Sequence, residues 1–165
     1  MSVEKSDARL RREIRQQRLL HRTPNSIFRR TIGEELLDCY DHVNNMYSLL
    51  LGDMAVRNYA REIGIAVEDL GDVYEGIKPV KRAQGRIEWL RPIYEGDEVM
   101  VNTSFVSVGQ SSFKVRQWII RDEELVTDIG IVTFVMTKDE KPTLIPDDMR
   151  NKLIASRRRK VLPTT

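Results

Sequence analysis

The sequence predicts an α+β fold in which one antiparallel β-sheet wraps around one long central helix. Three observations carry that expectation. Residues 45–63 form a segment of helical length, apolar almost all round in its first half, that stops at Gly64. Residues 79–137 then fall into four strand-like segments separated by short turns. The last of these, 125–137, is apolar on both faces and so needs cover on both sides. Short connections make consecutive strands antiparallel neighbours. A single sheet then buries its apolar face on the helix.

Taken in order, residues 6–22 are rich in Arg, Gln and Leu and can form a helix. Only Leu10 and Ile14 share a face, a thin stripe for a core helix. Residues 1–26 are therefore read as a basic N-terminal extension, closed by Thr23-Pro24-Asn25-Ser26. Residues 27–37 hold a first strand around Ile27, Phe28 and Ile32. The helix after it is apolar almost all round in its first half (Met46, Tyr47, Leu49, Leu50, Leu51, Met54), which is the pattern of an interior helix. Asn44 or Asn45 suits its N-cap, Gly64 suits the C′ position, and Arg61 complements the negative end of the dipole. It would span roughly 28 Å.

Of the strands, 79–91 alternates Ile87 and Trp89 with Arg86 and Glu88, and 98–108 alternates Val99, Val101, Thr103 and Phe105 with polar residues. Gly109-Gln110-Ser111-Ser112 reads as a hairpin before 113–121. In 125–137 the odd positions Leu125, Ile129, Ile131 and Val135 and the even positions Val132, Phe134 and Met136 are all apolar, and the second cover is assigned to another subunit. Residues 151–165 read as a basic tail.

The 165 residues suggest one domain with a core large enough to stand without staples. A single cysteine, Cys39, leaves no intrachain disulfide, and with two histidines in the chain no metal site is expected. No cofactor is expected either. No apolar run approaches ~18 residues, so no membrane span is expected, and without an apolar leader the expected compartment is cytoplasmic. The net charge of +2 conceals a split. Residues 1–30 carry nine basic and three acidic groups, residues 150–165 carry six basic groups and no acid, and the stretch between is acidic. Such ends either stay solvated or meet anions. No nucleic acid is expected as a partner, because residues 1–25 hold one charged helix at most, too little for a helix-turn-helix.

Asp38, Asp41, His42, Asn44 and Asn45 crowd together just before the central helix. Asp and Asn there are also ordinary capping residues. A helix N-terminus nevertheless presents unpaired N–H groups and the positive end of a dipole, which can polarise a carbonyl. A carboxylate a few residues upstream can act on that carbonyl as base or nucleophile.

At this segment the sequence resembles a known family. Asp38-Cys-Tyr-Asp-His42-Val-Asn44-Asn45-Met-Tyr47 is similar to the Asp-x-x-Gly-His-Val-Asn-Asn-x-x-Tyr signature of the hotdog-fold acyl thioesterases, the 4-hydroxybenzoyl-CoA thioesterase-like enzymes among them. Ile87 to Val99, with Arg91-Pro92 and Gly96-Asp97, resembles the family's next strand and turn, and Lys141 to Pro146 resembles its close. The resemblance covers residues 27–150. It implies a hotdog fold and hydrolysis of an acyl-CoA or acyl carrier protein thioester. It implies that Asp38 is the catalytic acid, that His42 and Asn44 assist it, and that the Asn45 N–H polarises the thioester carbonyl. Tyr47, Glu88 and Arg91 are the expected substrate contacts, with Glu88 a group that a partner subunit would supply. A homodimer or homotetramer is implied, since the family builds its site between subunits. This chain has Asp41 where the family often has Gly, Leu36 in place of an earlier Asp, and Tyr40 where the acyl carrier branch often has Asn. A non-enzymatic acyl-thioester sensor is the other reading of such a domain, and a hotdog dehydratase fits the His42-Val-Asn44-Asn45 order less well.

Overall fold

The computed structural model describes residues 3–65 and 73–161. Their order is α1 (Val3–Leu20), β1 (Ser26–Thr31), a 3-10 turn at Glu34–Leu36, α2 (Asn45–Glu62), β2 (Lys78–Gln84), β3 (Glu88–Trp89), β4 (Glu98–Val108), β5 (Ser112–Arg121), β6 (Glu124–Lys138), β7 (Lys141–Pro142) and α3 (Asp147–Ser156). The strands form one antiparallel sheet in the order β1-β4-β5-β6-β2, with β3 and β7 also paired to β6. The α+β class, the long helix and the hotdog arrangement all stand as expected.

α2 lies on the sheet through Ser48, Leu51, Gly52, Ala55, Val56 and Tyr59, one stripe at helical spacing. Its expected burial all round is corrected: Met46 and Leu50 are exposed, because the sheet covers only one side. At mid-helix, Gly52 lets the sheet approach; a Cβ there would meet Gln117 Oε1 at 3.1 Å and Ile129 Cδ1 at 3.3 Å. Buried Gln117 donates through Nε2 to Gly52 O at 2.8 Å, so the polar side chain under the helix is satisfied. The main core adds Val101, Val115, Ile119 and Met136 from the sheet, with the Phe113 and Phe134 rings stacked at 5.1 Å.

The simple odd/even reading of β6 does not hold. Register shifts against β5 between Gln117 and Trp118 and between Ile119 and Ile120 insert extra residues, so Val126, Ile129, Val132 and Phe134 all reach the main core. Gly130 sits in the bulge at φ +88, where a Cβ would lie 2.6 Å from Arg86 O. Leu125 turns to the opposite face and packs with Trp118, Ile120 and Leu19 of α1. Part of the cover expected from another subunit is therefore this chain's own N-terminal helix. Ile131 and Trp89 stay exposed.

Both basic ends are tied to the body. Arg15 of α1 is ion-paired to buried Glu88 and lies 3.8 Å from Asp128, which Arg116 holds at 2.6 Å. α3 runs through the expected boundary at 150/151, and it buries Met149 and Leu153 in the main core. Asn25 bonds the carbonyls of Ser156 and Arg159 through Nδ2 and accepts from Phe105 N–H at 2.7 Å, and Val161 N–H donates to Pro24 O at 3.0 Å. The segment after α1 and the segment after α3 thus meet at Pro24–Asn25.

Candidate active site

The loop from Leu36 to Asn44 folds back on itself before α2 begins. Asp38 N–H donates to His42 O at 2.9 Å, Asn44 N–H to Leu36 O at 3.1 Å, and Val43 N–H to Ile93 O at 2.7 Å. Bridges Leu37–Val43 and His42–Tyr94 complete the strap. The tight reversal needs a left-handed residue, and Asp41 takes it at φ +59. Asp is among the few non-glycine residues that adopt this conformation readily, which explains how the chain manages without the family's usual glycine.

This reversal brings Asp38 and His42 together. Asp38 Oδ1 accepts from Tyr40 N–H at 2.9 Å, and its Oδ2 lies 3.4 Å from His42 Nδ1. That separation is ion-pair distance rather than a formed hydrogen bond. The side chains are 20% and 37% exposed, so both are reachable from solvent. The Tyr40 ring stacks on the His42 imidazole with centroids 6.0 Å apart.

At the start of α2, Asn44 is the N-cap, and its Oδ1 accepts from Met46 N–H at 2.9 Å. Asn44 O accepts from Tyr47 N–H at 2.8 Å. The Asn45 N–H between them has no acceptor among the described residues. Asn45 itself lines a recess of about 280 Å³ together with His42, Ser48, Trp89, Arg91 and Thr127. The side chain of Asn44 is thus spent on capping, while the neighbouring backbone N–H is left unpaired at the positive end of the helix.

The remaining candidates divide. Arg91 borders the recess and pairs with Glu124 at 3.1 Å. Tyr47 is partly buried against the main core. Glu88 is not among the residues around the recess; it is buried and held by Arg15 and by Arg86, the latter at 2.8 Å. Alternation pointed Glu88 outward, but α1 covers that face. Asp38 lies beside the recess behind His42 rather than on its wall. Two buried hydroxyl residues that face the recess, Ser48 and Thr127, escaped sequence reasoning. Ser48 could have been found as the position one helical turn after Asn45. No group of three metal-ligating side chains occurs among the described residues, and no described helix is long and apolar enough to cross a membrane.

Comparison with known proteins gives a consistent result. A family model described as the thioesterase-like superfamily matches residues 33–153. A thioesterase from Thermus thermophilus, solved with coenzyme A and Zn, superposes with a TM-score of 0.70 at 24% identity, over 84% of this chain and 98% of that one. A 1,4-dihydroxy-2-naphthoyl-CoA thioesterase from Synechocystis superposes at 0.71 with 14% identity, over 78% and 95%. A Staphylococcus aureus protein solved with CoA gives 0.73 at 10% identity, over 84% and 87%. Comparison with curated proteins finds no match. With the helix-and-sheet fold, the loop before α2 and a family match over most of the chain in agreement, the protein belongs to the thioesterase-like superfamily.

Proposed function

We propose that the protein hydrolyses an acyl thioester of CoA or of an acyl carrier protein at the N-terminus of α2. The observation that carries this is the unpaired N–H of Asn45, a residue that lines a recess together with His42 of the Asp38–His42 pair. A thioester carbonyl oxygen placed on that N–H gains a donor aimed where negative charge develops. Asp38 then either takes a proton from a water that adds to the carbonyl carbon or adds to that carbon itself. The C–S bond breaks and the sulfur leaves as thiolate; on the second route the acyl–Asp38 anhydride that remains is then cleaved by water, which releases the acid and restores the carboxylate. A thiol with pKa ~8.5 departs without a strong general acid, so a site with one carboxylate and one oxyanion donor suffices. His42, at 3.4 Å, orients the carboxylate. The CoA complex of the Thermus neighbour and the naphthoyl-CoA substrate of the Synechocystis one support an acyl-CoA substrate here.

In this reading the working unit is a homodimer, which the open edge at β3 and the exposed Trp89 and Ile131 support. The decisive experiment is thiol release from a panel of acyl-CoA and acyl carrier protein thioesters by wild type and Asp38→Asn. Turnover by the variant should fall at least ~100-fold at unchanged Tm. Near-normal hydrolysis would remove Asp38 from the mechanism. Saturable acyl-CoA binding with no turnover by wild type would make the domain a binding module.

A further inference from the structure

Three surface depressions between the start of α2 and the arginine-rich face of α1 share lining residues, each with the next. The recess at Asn45 is bordered by Leu90 and Arg91. The next, about 310 Å³, shares Leu90 and Arg91 and adds Arg12. The third, about 570 Å³, shares Arg12 and is bounded by Arg9, Arg11, Arg15 and Arg86, with Glu88 beneath. The intervening chain from Arg86 to Ile93 reaches at most roughly 23 Å. The path therefore begins at the candidate oxyanion donor and ends among five arginines.

Among the described residues around this far end, arginines outnumber carboxylates. Glu88 is shared by Arg15 and Arg86, and Arg9 is paired to Glu13 at 2.9 Å. Arg12 makes no ion pair among the described residues, and it stands where the second and third depressions meet. The arginines are held in place. Leu19 is buried against Trp118, and the Arg15–Glu88 pair fixes α1 to β3 midway along. Guanidinium groups on a docked helix lose less freedom on binding than those on a solvated tail, and their fork geometry matches phosphate oxygens.

We propose that this arginine groove binds the phosphorylated nucleotide end of a CoA thioester. Arg12 contacts its phosphates, and the arm that carries the sulfur runs past Arg91 to Asn45. The assignment rests on the thioester reading above and selects CoA over a carrier protein. The groove is walled by α1 on one side and Arg86 on the other, and so accepts a compact polyanion. The broad acidic face of a carrier protein would want an open surface.

The test has a binding arm and a kinetic arm, both on the full chain. Adenosine 3′,5′-bisphosphate is titrated calorimetrically into wild type and Arg12→Glu. The same acyl group is then offered as its CoA thioester, its carrier protein thioester and its N-acetylcysteamine thioester, which lacks any phosphate. The proposal expects the nucleotide to bind wild type and to bind Arg12→Glu at least ~10-fold more weakly. It also expects the ratio of kcat/KM for acyl-CoA to that for acyl-N-acetylcysteamine to fall by a similar factor. An equal loss on both substrates, or none on acyl-CoA, overturns it. A loss confined to the carrier protein thioester overturns it in favour of a protein-docking face. Wild type that hydrolyses thioesters but does not bind the nucleotide overturns the groove alone. Nucleotide binding weakened by Arg12→Glu, with no hydrolysis by wild type, upholds the groove and overturns the hydrolase reading.

Discussion

The two ends of α2 are built to opposite rules. At the C-terminal end the backbone is closed: Ile63 N–H reaches Tyr59 O, Gly64 takes the left-handed C′ position at φ +77, Lys152 donates to Gly64 O at 2.8 Å and Arg159 to Glu62 O at 3.0 Å. The Tyr59 hydroxyl, buried nearby, bonds Ser156 Oγ, and burial raises its pKa. At the N-terminal end Asn44 closes two N–H groups and leaves Asn45 N–H open beside a recess, with a carboxylate and an imidazole alongside. The first N–H groups of any helix lack an intrahelical acceptor, and the proposed function makes use of this one.

That contrast can be broken from either end. The largest effect on stability is expected for Asn44→Ala, which removes the cap. It should cost about 1 kcal/mol in chemical denaturation and also lower turnover by about tenfold, because the first turn frays where the substrate is held. Loss of stability with full activity would detach the cap from the site. Tyr59→Phe at the closed end should cost up to about 1 kcal/mol and leave kcat/KM unchanged; Ser156 Oγ keeps its bond to Leu153 O at 2.6 Å. A drop in activity there would show that the two ends are coupled.

The smallest effect belongs to the contact that holds the chain before β2 on α3. Tyr74 donates to Asp148; its pKa is raised to about 12, by desolvation first and then by this bond, and the same bond lowers that of Asp148. A depressed carboxylate contributes stability above its unfolded value near ~3.9, lost as pH falls through the folded one. A raised phenol contributes below ~10, lost as pH climbs toward 12. Tyr74→Phe should therefore lower Tm slightly between about pH 4 and 10 and leave it unchanged at both extremes, where the contribution is already lost; the shift is small because the site is largely exposed. An equal shift in Tm across the whole range would contradict the ion-linked origin.

The same division decides what could be read in advance. α2 and the strands 98–108 and 113–121 follow from local period, because their partners lie across one sheet or one turn. Asp38, His42 and Asn45 came from a short motif whose geometry is also local, a reversal within a few residues. The docking of α1 was not legible: Leu19 is its one fully buried apolar residue among those described, and the Arg15–Glu88 pair spans 73 positions with no periodic trace. For the same reason Glu88 read as an outward, partner-facing group. The run Arg157–Lys160 hid a core helix whose buried apolar residues are only Met149 and Leu153. Bulged β6 defeated period-two reading because each extra residue reverses the alternation after it.

The central claim is that the Asn45 N–H stabilises the reacting carbonyl, and Asn45→Pro tests it most directly. Proline is tolerated at the first helical position, and Asn44, at φ −57 and ψ 134, already has the backbone that precedes proline. The substitution deletes one N–H at little structural cost, and Asn45→Ala controls for the side chain. Asn45→Pro should lower kcat for thioester hydrolysis by ~100-fold or more at unchanged Tm, while Asn45→Ala stays near wild type. Wild-type turnover by Asn45→Pro would contradict it.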